Sequence, residues 1–312
     1  MKIIITGGCG YVGTELTKLL LKKGHQVKVI DIQWFGNYLP KHKKLKILKK
    51  DIRKLDTSDL SGYQKIIHLA NIALESSEVA PSLSWDVNVI AARSLSEKCI
   101  KAGIKHFIYA SSGSVYGISK KKKVTEETPL HPISVYNKTK MIAERVILSY
   151  KDKMKIHCIR PATVSGYSDK MRLDLTVNIL TFQALKNKSI KVFGGKQVRP
   201  NINIKDLISV FNFFLLNPNI KSGCYNAGFE NMSIINIAKK VANLIPSKII
   251  IKKIIDRRNY YQDSSKLLKA GFKPKFSIKD SIKDLTKMFK EKKIKEKINF
   301  YSLRQINSLK LK

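Results

Sequence analysis

Residues 6–13 read "TGGCGYVG" and follow directly on the β-branched run "KIII" (2–5). Gly7, Gly10 and Gly13 leave the backbone bare where a strand should end and a helix begin. At such a turn a dinucleotide pyrophosphate rests against the first turn of the helix, where unpaired N–H groups and the helix dipole favour negative charge. The next apolar run, "QVKVID", ends in Asp31, eighteen residues after Gly13, near the distance at which a carboxylate takes the adenosine ribose hydroxyls. A glycine pattern alone is weak evidence, and Asp31 alone reads equally well as a strand-end turn residue. Together, with a strand before and a helix after, they predict dinucleotide binding.

Working outward, "LKILKK", "KIIHLA", "HFIYASS" and "IHCIRP" read as further strands separated mostly by amphipathic segments. That alternation predicts an α/β fold with a doubly wound parallel sheet of Rossmann type. After "SGYSDK" (165–170) the pattern changes to a helix-like "LDLTVNILTFQALKN", a short "IKVFGG" and then "VRPNINIKDLISVFNFFLLN". The lysine-rich end, with Ile294, Ile298 and Tyr301 at helical spacing, reads as a solvated terminal helix.

The 312 residues are 43% hydrophobic, enough for a sizeable core. The N-terminus lacks the pattern of a signal peptide, and no run reaches the roughly 18 apolar residues of a membrane span, so a cytoplasmic protein is the default expectation. Cys9, Cys99, Cys158 and Cys224 are scattered singly, which predicts reduced, mostly buried thiols and no metal site. The net charge of +37 suits nucleic acid, anionic lipid or phosphorylated substrates without choosing among them. Lysine supplies most of it, 51 residues against nine arginines, as a biased nucleotide composition would produce. Where lysine is the default base, an arginine inside a motif points to its planar, bidentate guanidinium; Arg160, Arg172, Arg199 and Arg258 stand out.

The chemistry centres on "YNKTKMIAERVILSY" (136–150), where Tyr136 and Lys140 share one helix face. Working as a base near neutrality requires lowering a tyrosine pKa of about 10 by roughly three units, or ~4 kcal/mol. A lysine ammonium and an oxidised nicotinamide, both cationic, favour the phenolate. A Tyr-x-x-x-Lys spacing is common by itself; here it follows a dinucleotide turn and the serine-rich "YASSGSVYG" (109–117).

At these residues the chain resembles the extended short-chain dehydrogenase/reductases, specifically the NAD-dependent nucleotide-sugar epimerases and dehydratases. "TGGCGYVG", "DIR" (51–53), "IIHLAN", "ASSGSVYG", "YNKTK" and "IRPATVSG" resemble its motifs in order, as do "MRLDLTVN", "FGGKQVRPNINIKD", "YNAG" and "DRRNY" farther on. The resemblance implies NAD as cofactor, bound by Gly7, Gly10, Tyr11, Val12, Gly13, Asp31, Asp51, Ile52, Leu69, Ala70, Asn88, Tyr136 and Lys140. It implies Ser112, Tyr136 and Lys140 as the catalytic set, and Ser112, Ser114, Asn178, Arg199 and Arg258 as contacts to a nucleotide-diphosphate sugar. It also implies a Rossmann domain over 1–167 with 200–228 returning to it, a smaller discontinuous sugar-nucleotide domain from 168–199 and 229–290, and a basic tail over 291–312. A homodimer through "NVIAARSLSEKCIKAG" and "YNKTKMIAERVILSY" would follow.

The expected reaction is C4 epimerisation through a 4-keto intermediate. A 4-dehydrogenase or 4-reductase with net cofactor turnover is the alternative, and a non-catalytic nucleic-acid-binding relative a more distant one, against which the intact Ser112, Tyr136 and Lys140 argue. Members that dehydrate their sugar resemble "TDEVYG", with an acid–base carboxylate pair; here Gly113 and Ser114 stand in those places. "VSGY" also replaces the commoner "VYG", leaving Ser165 where an aromatic often borders the nicotinamide.

Overall fold

The computed structural model describes residues 1–119, 121, 123–253 and 260–310. Strand β1 (Lys2–Thr6) passes through the glycine turn into α1 (Tyr11–Lys22), followed by β2 (Gln26–Asp31), β3 (Leu45–Lys49) and β4 (Lys65–His68). Helices α2 (Leu74–Val79), α3 (Pro81–Trp85) and α4 (Ala91–Lys101) lead to β5 (His106–Ala110). The short β6 (Lys123–Val124) precedes α5 (Val135–Leu148), β7 (Lys155–Pro161) and β8 (Thr163–Ser165). Then come α6 (Thr176–Asn187), β9 (Ser189–Phe193), β10 (Val198–Asn203), α7 (Ile204–Leu216), β11 (Gly223–Ala227), β12 (Glu230–Ser233) and α8 (Ile234–Leu244). The last elements are β13 (Lys248–Lys252), β14 (Tyr261–Gln262), α9 (Ser265–Lys269), α10 (Ile278–Lys290) and α11 (Ser302–Ser308).

Seven strands form one sheet in the order β11-β7-β5-β4-β1-β2-β3, every neighbouring pair parallel. Parallel strands covered on both faces read as continuous apolar runs, and Ile3, Ile4 and Ile5 are all fully buried. Leu16 and Leu20 of α1 pack with Phe211 and Phe214 of α7 on one face. Leu95 of α4 packs with Ala143 and Ile147 of α5 on the other. From β1 the chain proceeds to β2 and β3 on one side and to β4 and β5 on the other, so a crevice opens at the carboxyl ends between β1 and β4.

Strand β10 leaves this layer to pair with β8 and β12, whereas α7 and β11 rejoin it. A second core gathers Val177, Ile190, Ile237 and Ile282 from α6, β9, α8 and α10. Ser165, on β8, is fully buried and pairs with Ser281 Oγ of α10 at 2.8 Å.

One sequence expectation is corrected. The tail is not a solvated helix: Ile294, Phe300 and Ile306 are buried, and residues 294–297 lie outside the helices. Its apolar side chains dock against Tyr11, Met171, Leu173 and Leu285, which a composition of lysine and isoleucine did not reveal. The cysteines are free and mostly buried, as expected, and Cys158 and Cys224, far apart in sequence, stand opposite each other in β7 and β11. Among the described residues no helix is long and apolar enough to cross a membrane, and no cluster of His, Cys, Asp or Glu could hold a metal ion.

Candidate active site

Packing requires the glycines of the first turn. Gly7 has φ +72°, and a Cβ there would lie 2.6 Å from the Ala70 nitrogen. At Gly13 a Cβ would lie 2.3 Å from the Gly7 carbonyl oxygen. Gly10 caps α1 without any side chain taking the first-turn N–H groups, which leaves those of Tyr11, Val12 and Gly13 at the edge of a cleft of about 440 Å³. Asp31, at the end of β2, borders the same cleft. Its carboxylate accepts from Cys9 N at 2.9 Å and Gln33 N at 2.7 Å. Burial pushes that carboxyl up, opposed by the two N–H groups and by the charge of Lys170.

Asp51, Ile52, Leu69 and Ala70 continue the wall. Burial raises the Asp51 carboxyl, but hydrogen bonds from Arg53 outweigh it and hold it below its ordinary value. An uncapped helix start, bare backbone where the chain approaches closely and a carboxylate at the end of β2 fit a dinucleotide.

Opposite the turn, α5 presents the candidate reacting groups. Ser134 caps it by accepting from Asn137 N at 3.1 Å, and Glu78 accepts from Val135 N at 2.8 Å. Farther along, Glu144 takes a bidentate pair from Arg160 of β7, at 3.0 and 2.5 Å, with both side chains at most 4% exposed. Arg160 also donates to Tyr116 Oη at 2.9 Å, so its guanidinium fastens α5 to the sheet rather than meeting a ligand.

This frame brings Ser112, Ser114, Tyr136 and Lys140 to one wall of the cleft. The Ser112 and Ser114 hydroxyls are 2.7 Å apart. Lys140 Nζ donates to the Ala110 carbonyl at 2.7 Å and lies 5.9 Å from the centre of the Tyr136 ring. Burial pushes the Lys140 ammonium down to about 7. Burial also raises the Tyr136 phenol, while the Ser112 hydroxyl and the Arg172 charge draw it down.

Two other residues singled out in the sequence, Asn88 and Asn178, do not border the cleft. Asn88 is buried, its Oδ1 accepting from Ile72 N at 2.8 Å and its Nδ2 donating to Thr139 Oγ1 at 3.0 Å. It supports the cleft through Ile72 rather than bordering it. Asn178 is fully buried, accepting from Gly166 N at 3.0 Å and donating to Tyr11 Oη at 3.1 Å and to the Arg172 carbonyl at 2.9 Å. These bonds make it a strut behind the wall of the cleft. The Tyr11 hydroxyl, donating to the Gly166 carbonyl at 2.7 Å, belongs to the same strut. Arg199 does border the cleft, with Nη1 donating to the Val198 carbonyl at 3.0 Å. Arg258 lies outside the described residues.

The sequence reading missed much of the far wall. Trp34 and Phe35, Glu75, Lys170 and Ser302 all border the cleft. Arg172 does too, paired through Nε with Asp174 at 2.6 Å. The scarcity of arginine flagged Arg172; nothing in the local pattern of the others distinguishes them from surface residues.

The pattern of the NAD dependent epimerase/dehydratase family matches residues 3–228. A UDP-glucose 4-epimerase of Lactobacillus helveticus is 30% identical over 90% of this chain and 94% of its own length. A dTDP-D-glucose 4,6-dehydratase of Dictyostelium discoideum is 28% identical over 78% of this chain and 62% of its own. Among solved structures, the UDP-glucuronic acid 4-epimerase of Bacillus cereus, in complex with UDP-glucuronic acid and NAD, superimposes with a TM-score of 0.83 at 26% identity, covering 93% of this chain and 99% of that one. The match spans the whole parallel sheet and both edges of the crevice, and the chain is an enzyme belonging to the NAD dependent epimerase/dehydratase family.

Proposed function

We propose that the enzyme interconverts the C4 epimers of a nucleoside-diphosphate sugar through a 4-keto intermediate. One observation carries the reading: Tyr136, Lys140 and Ser112 border the same cleft as the uncapped start of α1. NAD, when bound, supplies the acceptor and donor of hydride. Tyr136 takes the proton of the C4 hydroxyl as its carbon loses hydride, and returns it once the ketone has been reduced on the opposite face. Ser112 hydrogen-bonds the oxygen as charge develops on it. Of the charges around the phenol, Arg172 draws it down and Glu75 raises it.

Elimination needs an acid and a base beside this serine, and Gly113 and Ser114 offer neither. That favours epimerisation over the dehydratase chemistry named for the Dictyostelium relative. The named activities of the other two relatives nominate UDP-glucose and UDP-glucuronic acid as first substrates. Pairing of two copies through α4 and α5 accompanies the proposal, supported by Ile90, 60% exposed beside the start of α4.

The test is to incubate the protein with each UDP sugar and follow C4 configuration by NMR and the reduced nicotinamide by absorbance. The C4 epimer should form without accumulation of NADH. NADH formed in step with an oxidised sugar would establish the dehydrogenase alternative. Failure to convert either sugar, together with salt-sensitive stoichiometric RNA binding, would point to the nucleic-acid-binding relative.

A further inference from the structure

We propose that the Lys170 ammonium clamps the cofactor's pyrophosphate from the wall opposite the glycine turn. The inference rests on NAD dependence and is indifferent to which sugar reacts or whether the product leaves oxidised.

Lys170 borders the cleft yet is only 2% exposed. Among the described residues it makes no hydrogen bond or ion pair, and its contact is with the Phe35 ring, whose centre lies 4.4 Å from Nζ. The carboxylates nearest in influence are otherwise engaged. Asp174 accepts from Arg172 Nε at 2.6 Å and Ser302 N at 2.8 Å, and Asp31 from Cys9 N and Gln33 N. A buried ammonium without a partner is costly, and an anion in the cleft offsets that cost.

Its position selects the anion. Asp31 marks the adenosine-ribose end of the cleft, and Arg172, whose charge acts on Tyr136, marks the reacting end. Lys170 is influenced by both, and the part of a dinucleotide between those ends is the pyrophosphate. The loop carrying Lys170 is fastened over the start of α1: Tyr11 donates to the Gly166 carbonyl, and Lys18 of α1 pairs with Asp169. The ammonium and the first-turn N–H groups of α1 therefore serve one anion from two sides.

The charged groups facing Lys170 are Arg172, Asp174 and Asp31. Burial and then Arg172 push its ammonium down to about 7, against the two carboxylates. An arriving phosphate favours the charged form, so binding takes up a proton and weakens as pH rises through 7.

Isothermal titration of the full-length protein with ADP-ribose, adenosine, NAD and NADP tests this. Lys170→Met should weaken ADP-ribose and NAD at least tenfold at pH 6.5 and leave adenosine within twofold, and Lys170→Arg should restore most of the loss. At pH 7.5 the native protein should take up protons on binding ADP-ribose, read from the dependence of heat on the buffer's ionisation enthalpy, and Lys170→Met should not. Equal weakening of adenosine and ADP-ribose would make Lys170 structural and overturn the proposal. So would unchanged ADP-ribose affinity, or a loss confined to NADP, which would assign the ammonium to a 2′-phosphate.

Discussion

Two lysines buried in the cleft are held in different ways. Lys140 donates to the Ala110 carbonyl at 2.7 Å, with its ammonium 4.8 Å from the centre of the Tyr109 ring. Lys170, on the far wall, has the Phe35 ring and no hydrogen bond among the described residues. Burial brings both down to about 7. On the sheet side, every partner is set by a strand end or by one turn of α5. On the far side, two distant segments are laced together by the tail: Asn299 donates to the Phe35 carbonyl at 2.9 Å, Gln305 to the Trp34 carbonyl at 2.7 Å, and Ser302 N to Asp174 at 2.8 Å. The proposed reacting groups thus sit on a wall set by local chain geometry, whereas the wall facing them is assembled by long-range contacts.

The largest expected effect tests the sheet side. Tyr136→Phe should lower kcat by a hundredfold to ten-thousandfold, the range for a positioned acid–base group, while calorimetry shows NAD bound as before. Turnover within tenfold of the native enzyme would remove Tyr136 from the mechanism.

Next, the two arginine pairs should differ in stability. Glu144→Ala leaves the Arg160 guanidinium buried and unpaired and should cost about 3–5 kcal/mol in urea denaturation. Asp174→Ala should cost less, because its pair with Arg172 keeps nearly a fifth of each side chain exposed. Equal losses would abolish the distinction between the walls.

The lysines themselves set a pH dependence. Each is neutral in the folded cofactor-free protein above about pH 7 but still protonated in the unfolded chain up to its ordinary value near 10.5. The unfolded state thus binds more protons in that window, so stability rises with pH, by up to ~1.4 kcal/mol per unit for each lysine. Denaturation curves from pH 7 to 9 should show this slope, and Lys140→Met combined with Lys170→Met should flatten it. An unchanged slope would show that neither ammonium is held down by burial.

The smallest effect probes the meeting of the walls at Asp31. A 2′-phosphate about 4 Å from this carboxylate would meet repulsion of up to ~4 kcal/mol at an effective dielectric near 20, reduced by the opposing charge of Lys170. NAD should bind at least tenfold more tightly than NADP, with Asp31→Ser narrowing the gap. Equal dissociation constants in the native protein would mean that the far wall's lysine overrides the acid.

The sequence by itself determined the sheet side. Local rules place the pieces: "TGGCGYVG" demands a turn between strand and helix, Asp31 ends the next strand, and the Tyr136–Lys140 spacing puts two side chains on one helical face. Only the tertiary structure decided what stands opposite. Asn88 and Asn178 match family motifs, but their amides are spent on Ile72, Gly166 and Tyr11, because buried polar groups take whichever partners packing brings. The tail reads as solvated from its lysines, yet Phe300 and Ile306 are buried and Ser302 reaches the cleft. Lys170 is one of 51 lysines in the sequence. Burial beside Phe35, 135 residues away in the chain, is what sets it apart, since no local pattern encodes which distant segments share a wall.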